Sequence, residues 1–207
     1  MLMPELETRA LLGKAVVDLY GRSLGRVIGI ERNPFGELEG VQVEAPGGQI
    51  VSAKARQLAL TPKSITLTPN WKLESEDIIS ELSLLRRRIS ALEALKETNE
   101  IDAEIFAELV DSQKAGYVEK IKVAEELATS MKRRFSDISE NISSLTRYLV
   151  NAKLDHKSGD LDNESLKLAQ GSIEPTLRPL IAERTDLAGS LKSLEQVLPT
   201  KVSVVSR

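Results

Sequence analysis

From Tyr117 to Ala152 the apolar residues Tyr117, Ile121, Ala124, Ala128, Met131, Phe135, Ile138, Ile142, Leu145, Leu149 and Ala152 alternate in steps of four and three without a break. That is a heptad sustained over about five repeats. A straight helix drifts by about 20° per heptad against a seven-residue period, so an unbroken stripe of this length requires supercoiling against a partner helix. The spacing alone leaves open whether that partner lies in the same chain or in another copy.

The flanking segments supply candidates. Ile78, Leu82, Leu85, Ile89 and Leu92 repeat the step pattern, and a helix is expected from Pro69-Asn70 to about Lys96–Asn99. Asp102 is placed as an N-cap with Ile101 and Phe106 as a hydrophobic staple, and the helix it opens should run to about Leu154. The same device recurs at Leu161, Asp162 and Leu166. A third helix has Ile173, Leu177, Leu180, Leu187, Leu191, Leu194 and Leu198 as its apolar positions, with Arg184 interrupting the register. Pro175 and Pro179 predict a break or kink between Gly171 and Leu180. Val118, Leu127 and Tyr148 widen the central stripe beyond a two-stranded seam, so a multi-helix bundle is expected. Dimer contacts are then built on or beside an intrachain hairpin, with Tyr117, Ile121, Met131, Phe135, Ile138, Ile142, Leu145 and Leu149 as the self-association residues.

Before the helices the pattern is different. Lys14–Tyr20, Leu24–Glu31, Leu38–Ala45, Gln49–Ala53 and Ser64–Thr68 read as short strands, separated by Gly- and Pro-containing turns. Five or six such strands suggest a small closed β-barrel, with Val41, Val43 and Ala45 on one face. The fold class is therefore α+β and multidomain. Residues 9–72 carry nine Lys and Arg against five Asp and Glu, whereas the rest of the chain is acidic. Arg22, Arg26, Arg32, Lys54 and Arg56 are the candidate DNA-binding residues, with mixed surface charge as the plain alternative.

Several function classes find no support. There is no cysteine, so disulfides, thiolate zinc sites and cysteine nucleophiles are excluded. His156, the single histidine, is expected in a polar loop from Asp155 to Asn163. The acid pairs near Asp102 and Asp162 are explained as helix starts, and no phosphate loop or nucleophile-base set appears, so neither catalysis nor a cofactor or metal is expected. No apolar run approaches the ~20 residues that span a bilayer, and the N-terminal residues lack a signal-peptide layout, so a soluble intracellular protein is expected. Arg86, Arg87 and Arg88 read as a solvated helix face, and Trp71 as packing between the β region and the first helix. After Pro199 the tail Lys201-Val202-Ser203-Val204-Val205 has high β propensity; it either frays or adds a strand to a partner's sheet edge.

The run Leu11–Asn33 resembles the opening of a PRC-barrel domain. Gly13, Lys14 and Val16 match its first strand, Asp18 and Gly21 its turn, and Leu24, Gly25 and Val27 its second strand. Such barrels serve as adaptor modules, so this resemblance alone assigns no function. The order of barrel, Pro69–Asp77 joint, heptad helices and β-prone tail is similar to the CdvA family of archaeal cell-division proteins. That resemblance implies domains at 1–70, 71–198 and 199–207. It also implies a non-enzymatic cytoplasmic scaffold at the division site that forms a homo-oligomer or filament and associates with DNA. Recruitment of a CdvB-like ESCRT-III partner would run through Lys201, Val202, Val204 and Val205, with membrane contact only through that partner. The alternative is a dimeric PRC-barrel adaptor for nucleic acid or a ribonucleoprotein.

Overall fold

The computed structural model describes residues 10–61 and 63–199. The tail residues Lys201, Val202, Val204 and Val205 lie outside them. The chain divides into two compact units: Met1–Leu73 with Thr146–Glu183, and Glu74–Leu145 with Arg184–Arg207.

In the first unit, β1 (Ala15–Asp18), β2 (Ser23–Arg32), β3 (Leu38–Glu44) and β4 (Ile50–Lys54) are followed by a 3-10 turn (Ala55–Gln57). Then come β5 (Leu58–Leu60) and β6 (Ser64–Leu67). They form one six-stranded sheet in the order β4-β3-β2-β1-β6-β5. The β1/β6 pair is parallel and the others are antiparallel. Turn chemistry sets the hairpins: Asn33 Oδ1 accepts hydrogen bonds from the N–H groups of Phe35 and Glu37, closing the β2–β3 link.

The expected closed barrel is corrected here. All six strands send side chains to one core, with Leu11, Val16, Val27, Val41, Val43, Ala53 and Ile65 buried and Leu58 and Leu60 packed against them. The hydrogen-bonded ladder nevertheless ends at β4 on one side and β5 on the other. At the end of β4 the chain enters the 3-10 turn, and the Lys54 N–H donates to Gln57 Oε1 at 3.0 Å instead of to a strand. Gly25 shows why the barrel signature carries a glycine there. Its φ is +129°, and a Cβ on it would lie 1.8 Å from the Glu44 carbonyl oxygen, across the pairing of Arg26 with Glu44.

The helices are α1 (Asn70–Glu97), α2 (Ala103–Ser158) and α3 (Asn163–Val197). Asp162 caps α3, accepting from Ser165 N at 2.7 Å. At Asp102 the backbone carbonyl accepts from Phe106 N, and Phe106 lies under Lys96, whose Nζ is 4.4 Å from the ring centroid. The predicted loop at Asp155–Asn163 is shorter, because α2 runs to Ser158 and includes His156, whose Nδ1 lies 2.9 Å from the Leu161 carbonyl. Of the break or kink expected between Gly171 and Leu180, the break is absent, since α3 is continuous through Pro175 and Pro179. Each proline lacks the N–H that would bond the carbonyl four residues back, at Gly171 and Pro175, and both of those residues are exposed.

In the second unit, α2 runs antiparallel to α1, joined by a Lys120–Glu81 ion pair and by Arg86 donating to the Tyr117 hydroxyl at 3.4 Å. On α3, Lys132–Glu195 at 2.8 Å ties it to α2, and Arg86 donates to the Val197 carbonyl at 2.8 Å. Ile78, Leu82, Ala124, Ala128, Met131, Ile138, Leu187 and Leu194 are buried in this unit. Each of the larger ones contributes about 1.5–3 kcal/mol relative to exposure. No described helix is long and apolar enough to cross a membrane.

Candidate functional site

The five barrel cations do not share one environment. Arg26, on β2, is directly opposite Glu44 on β3. Lys54, on β4, pairs with Gly40, which pairs in turn with Glu31 on β2, so the outward face of these strands carries both signs of charge. Gln42 Nε2 bridges that face, donating to Glu31 Oε1 and to Ser52 Oγ. Arg56 is exposed in the 3-10 turn and Arg32 is half-buried at the end of β2.

Arg22 is different in kind. The Asp18-to-Arg22 turn is closed by Gly21 at φ +87°, with Asp18 N–H donating to Arg22 O at 2.9 Å. Asp18 is 5% exposed. Its Oδ1 accepts from Tyr20 N at 2.9 Å and Arg22 N at 2.8 Å, and its Oδ2 from Arg22 Nε at 2.5 Å. The other end of the same guanidinium meets Glu183 of α3, at 2.6 Å from Oε2. Glu183 is 2% exposed. Tyr20 covers the cation at 5.5 Å from its ring centroid. Burial of the guanidinium opposes its charge, but the hydrogen bond with Asp18 and the field of Glu183 outweigh that, and its pKa is raised. The signature turn of the barrel is thus a built charge cluster that holds α3, with Arg22 committed to two carboxylates.

Sequence reasoning missed Glu183. The signal was present in the α3 stripe, because the steps Leu180, Glu183, Leu187, Leu191 pass through the acid and leave Arg184 off the stripe. An acid at an apolar register position needs a buried cation partner.

The heptad stripe of α2 faces the interior of its own chain. Ala124, Ala128, Met131, Ile138 and Ile142 are buried, and Tyr117, Ile121, Phe135, Leu145 and Leu149 are half-buried. The flanking residues Val118 and Tyr148 are exposed, whereas Leu127 is half-buried. Arg86 has a partner that its charge run did not announce, the Val197 carbonyl at the C-terminus of α3, while Arg87 and Arg88 are exposed. Trp71 is half-buried in the first turn of α1.

Two comparisons with known proteins bear on this arrangement. Cell division protein A of Sulfolobus acidocaldarius is 23% identical over 190 residues, covering 89% of this chain and 77% of that protein. Residues 70–206, which take in all three helices, match the CdvA-like coiled-coil domain. This chain therefore belongs to the CdvA-like coiled-coil family.

Proposed function

We propose that the chain acts in cell division as a non-enzymatic scaffold, located at the division site, that self-assembles and recruits an ESCRT-III-like partner. The observation that carries the reading is the family match over α1, α2, α3 and the tail, on helices whose longest stripe is used internally to build a stiff bundle. In the strand region Arg26, Arg32, Lys54 and Arg56 are the cations proposed for DNA association, once Arg22 is assigned to Asp18 and Glu183. Lys201, Val202, Val204 and Val205 are proposed as the strand for a CdvB-like partner, through which the scaffold reaches the membrane.

Electron microscopy of the purified protein with and without DNA tests the scaffold. Filaments or regular assemblies are expected, and discrete particles under every condition would refute self-assembly into a filament. Deleting residues 199–207 should abolish partner capture and leave assembly intact; a truncated chain that still captured the ESCRT-III-like protein would remove the tail from the mechanism. DNA association should weaken steeply with salt and be lost when Arg26, Lys54 and Arg56 are neutralised together.

A further inference from the structure

Strand β4 is an edge of the sheet, and its register fixes which groups face outward. Ala45 N–H donates to the Gln49 carbonyl at 2.8 Å. From that pair the ladder runs without a bulge through Glu44↔Ile50, Val43↔Val51, Gln42↔Ser52 and Val41↔Ala53. Antiparallel pairs alternate between hydrogen-bonded and not, so Val51 and Ala53 bond back to β3 while the N–H and C=O groups of Ile50 and Ser52 point away from it. Lys54 obeys the same alternation: its outward N–H goes to Gln57 Oε1, and the strand ends there as the N-cap of the 3-10 turn. Ile50 and Ser52 thus form a short free ladder, with no strand beyond it among the described residues.

The edge is bare as well as open. Edge strands are ordinarily guarded by charge, proline or a bulge, and Gln49-Ile50-Val51-Ser52-Ala53 has none of these. Ile50 is 60% exposed. Val51 shares the core side with Val43, which is 3% exposed, yet is itself 41% exposed. The core therefore loses its cover at this strand. A further strand that brings an apolar residue to the core side would restore it.

The free groups select the occupant. We infer that β4 pairs antiparallel with β4 of a second copy, about a two-fold axis normal to the sheet at Val51. Ile50 of each copy then stands opposite Ser52 of the other as a hydrogen-bonded pair, so every free N–H and C=O meets its complement and none is left over. The two Val51 residues meet at the centre as the non-hydrogen-bonded pair, with Cα atoms about 4.5 Å apart, and cover each other on the core side. Lys54 falls beyond the paired stretch, opposite Gly48 of the second copy, so no like charges are set together. A two-fold axis along the strand would make the pair parallel, and would lay the core face of one sheet beside the outward face of the other. The contact is isologous, so it closes as a dimer, and longer assemblies use further contacts. This rests on the self-assembly reading above and names one of its contacts.

The test uses the full chain in sedimentation equilibrium over a concentration series, in which a dimer is expected. Ser52→Pro removes an N–H that β3 does not use, and proline is tolerated on an edge strand in that orientation. It should weaken the dimer about tenfold or more. Because the chain has no cysteine, Val51→Cys should join two copies on mild oxidation, since the spacing of a non-hydrogen-bonded pair admits a disulfide. Ile28→Cys, on β2 and 46% exposed, should not. A chain lacking residues 199–207 should dimerise as the full chain does. Wild-type protein that stays monomeric at every concentration would overturn both the inference and the self-assembly reading. Three results would each overturn the inference alone: association unmoved by Ser52→Pro, no cross-link at position 51, or a dimer lost with the tail, which would give the edge to the tail strand. Circular dichroism confirms that the variants keep their fold.

Discussion

Replacing Arg22 with leucine removes a cation shared by two buried carboxylates. Asp18 keeps its hydrogen bonds from the N–H groups of residues 20 and 22, so its loss is partial. Glu183, at 2% exposure, loses a guanidinium 2.6 Å away. Breaking a fully buried pair costs about 3–5 kcal/mol; because the Arg22 side chain remains 31% exposed, about 2–4 kcal/mol is expected here. The double variant Arg22→Leu/Glu183→Leu removes the buried carboxylate along with the guanidinium, and should recover at least half of that cost. Urea unfolding followed by both Trp71 fluorescence and far-ultraviolet circular dichroism measures the two variants, with coincident transitions as the check that a single free energy is defined. If Arg22→Leu costs under about 1 kcal/mol, or the double variant costs as much as the single, the cluster is a surface ion pair and the anchoring argument fails.

Three further outcomes follow from the geometry. Gly25→Ala should cost at least about 3 kcal/mol, because it combines a φ of +129° with a clash on the Glu44 carbonyl, and an unchanged melting temperature would refute the close approach. Met131→Ala, at a site 1% exposed, should cost about 2–5 kcal/mol in urea unfolding, whereas Val118→Ala on the exposed flank should cost under about 0.5 kcal/mol; equal effects would mean the stripe is not the interior. The hydrogen bond from Ser165 N lowers the pKa of Asp162 below its ordinary 3.8. Its contribution to α3 is therefore present above that value and lost as pH falls through the lower folded value. Asp162→Ala should lower the melting temperature at neutral pH by a margin that closes on acidification below about 3.8, and a margin constant down to pH 2 would exclude the cap as its source.

What was legible in the sequence were features carried by short-range chemistry. Period-two runs between glycine turns gave the strands, and Asp162 gave the start of α3. The four-three steps gave three helices. What stayed hidden depended on where groups far apart in the chain meet. Nothing near Arg22 indicates that its partner lies 161 residues away at Glu183, and Arg86 reads as one of three solvated arginines until α3 ends beside it. The prolines misled in the other direction. A helix interior normally disfavours them, but the residues four back from Pro175 and Pro179 are exposed, and burial is not a local property of the sequence. Closure of the barrel was inferred from the need to protect sheet edges, and at the end of β4 a side-chain bond from Gln57 takes the Lys54 donor instead.

The heptad in α2 also shows why periodicity cannot by itself name an assembly surface. A seven-residue repeat demands a partner helix and is satisfied equally by a neighbour in the chain or in another molecule. Here α1 and α3 take that role, and the strongest stripe is spent on folding, with Met131 and Ile138 each 1% exposed. A repeat this complete can therefore mark the interior of a fold, while exposed apolar residues such as Leu84, Leu95, Ile105 and Leu109 lie outside it.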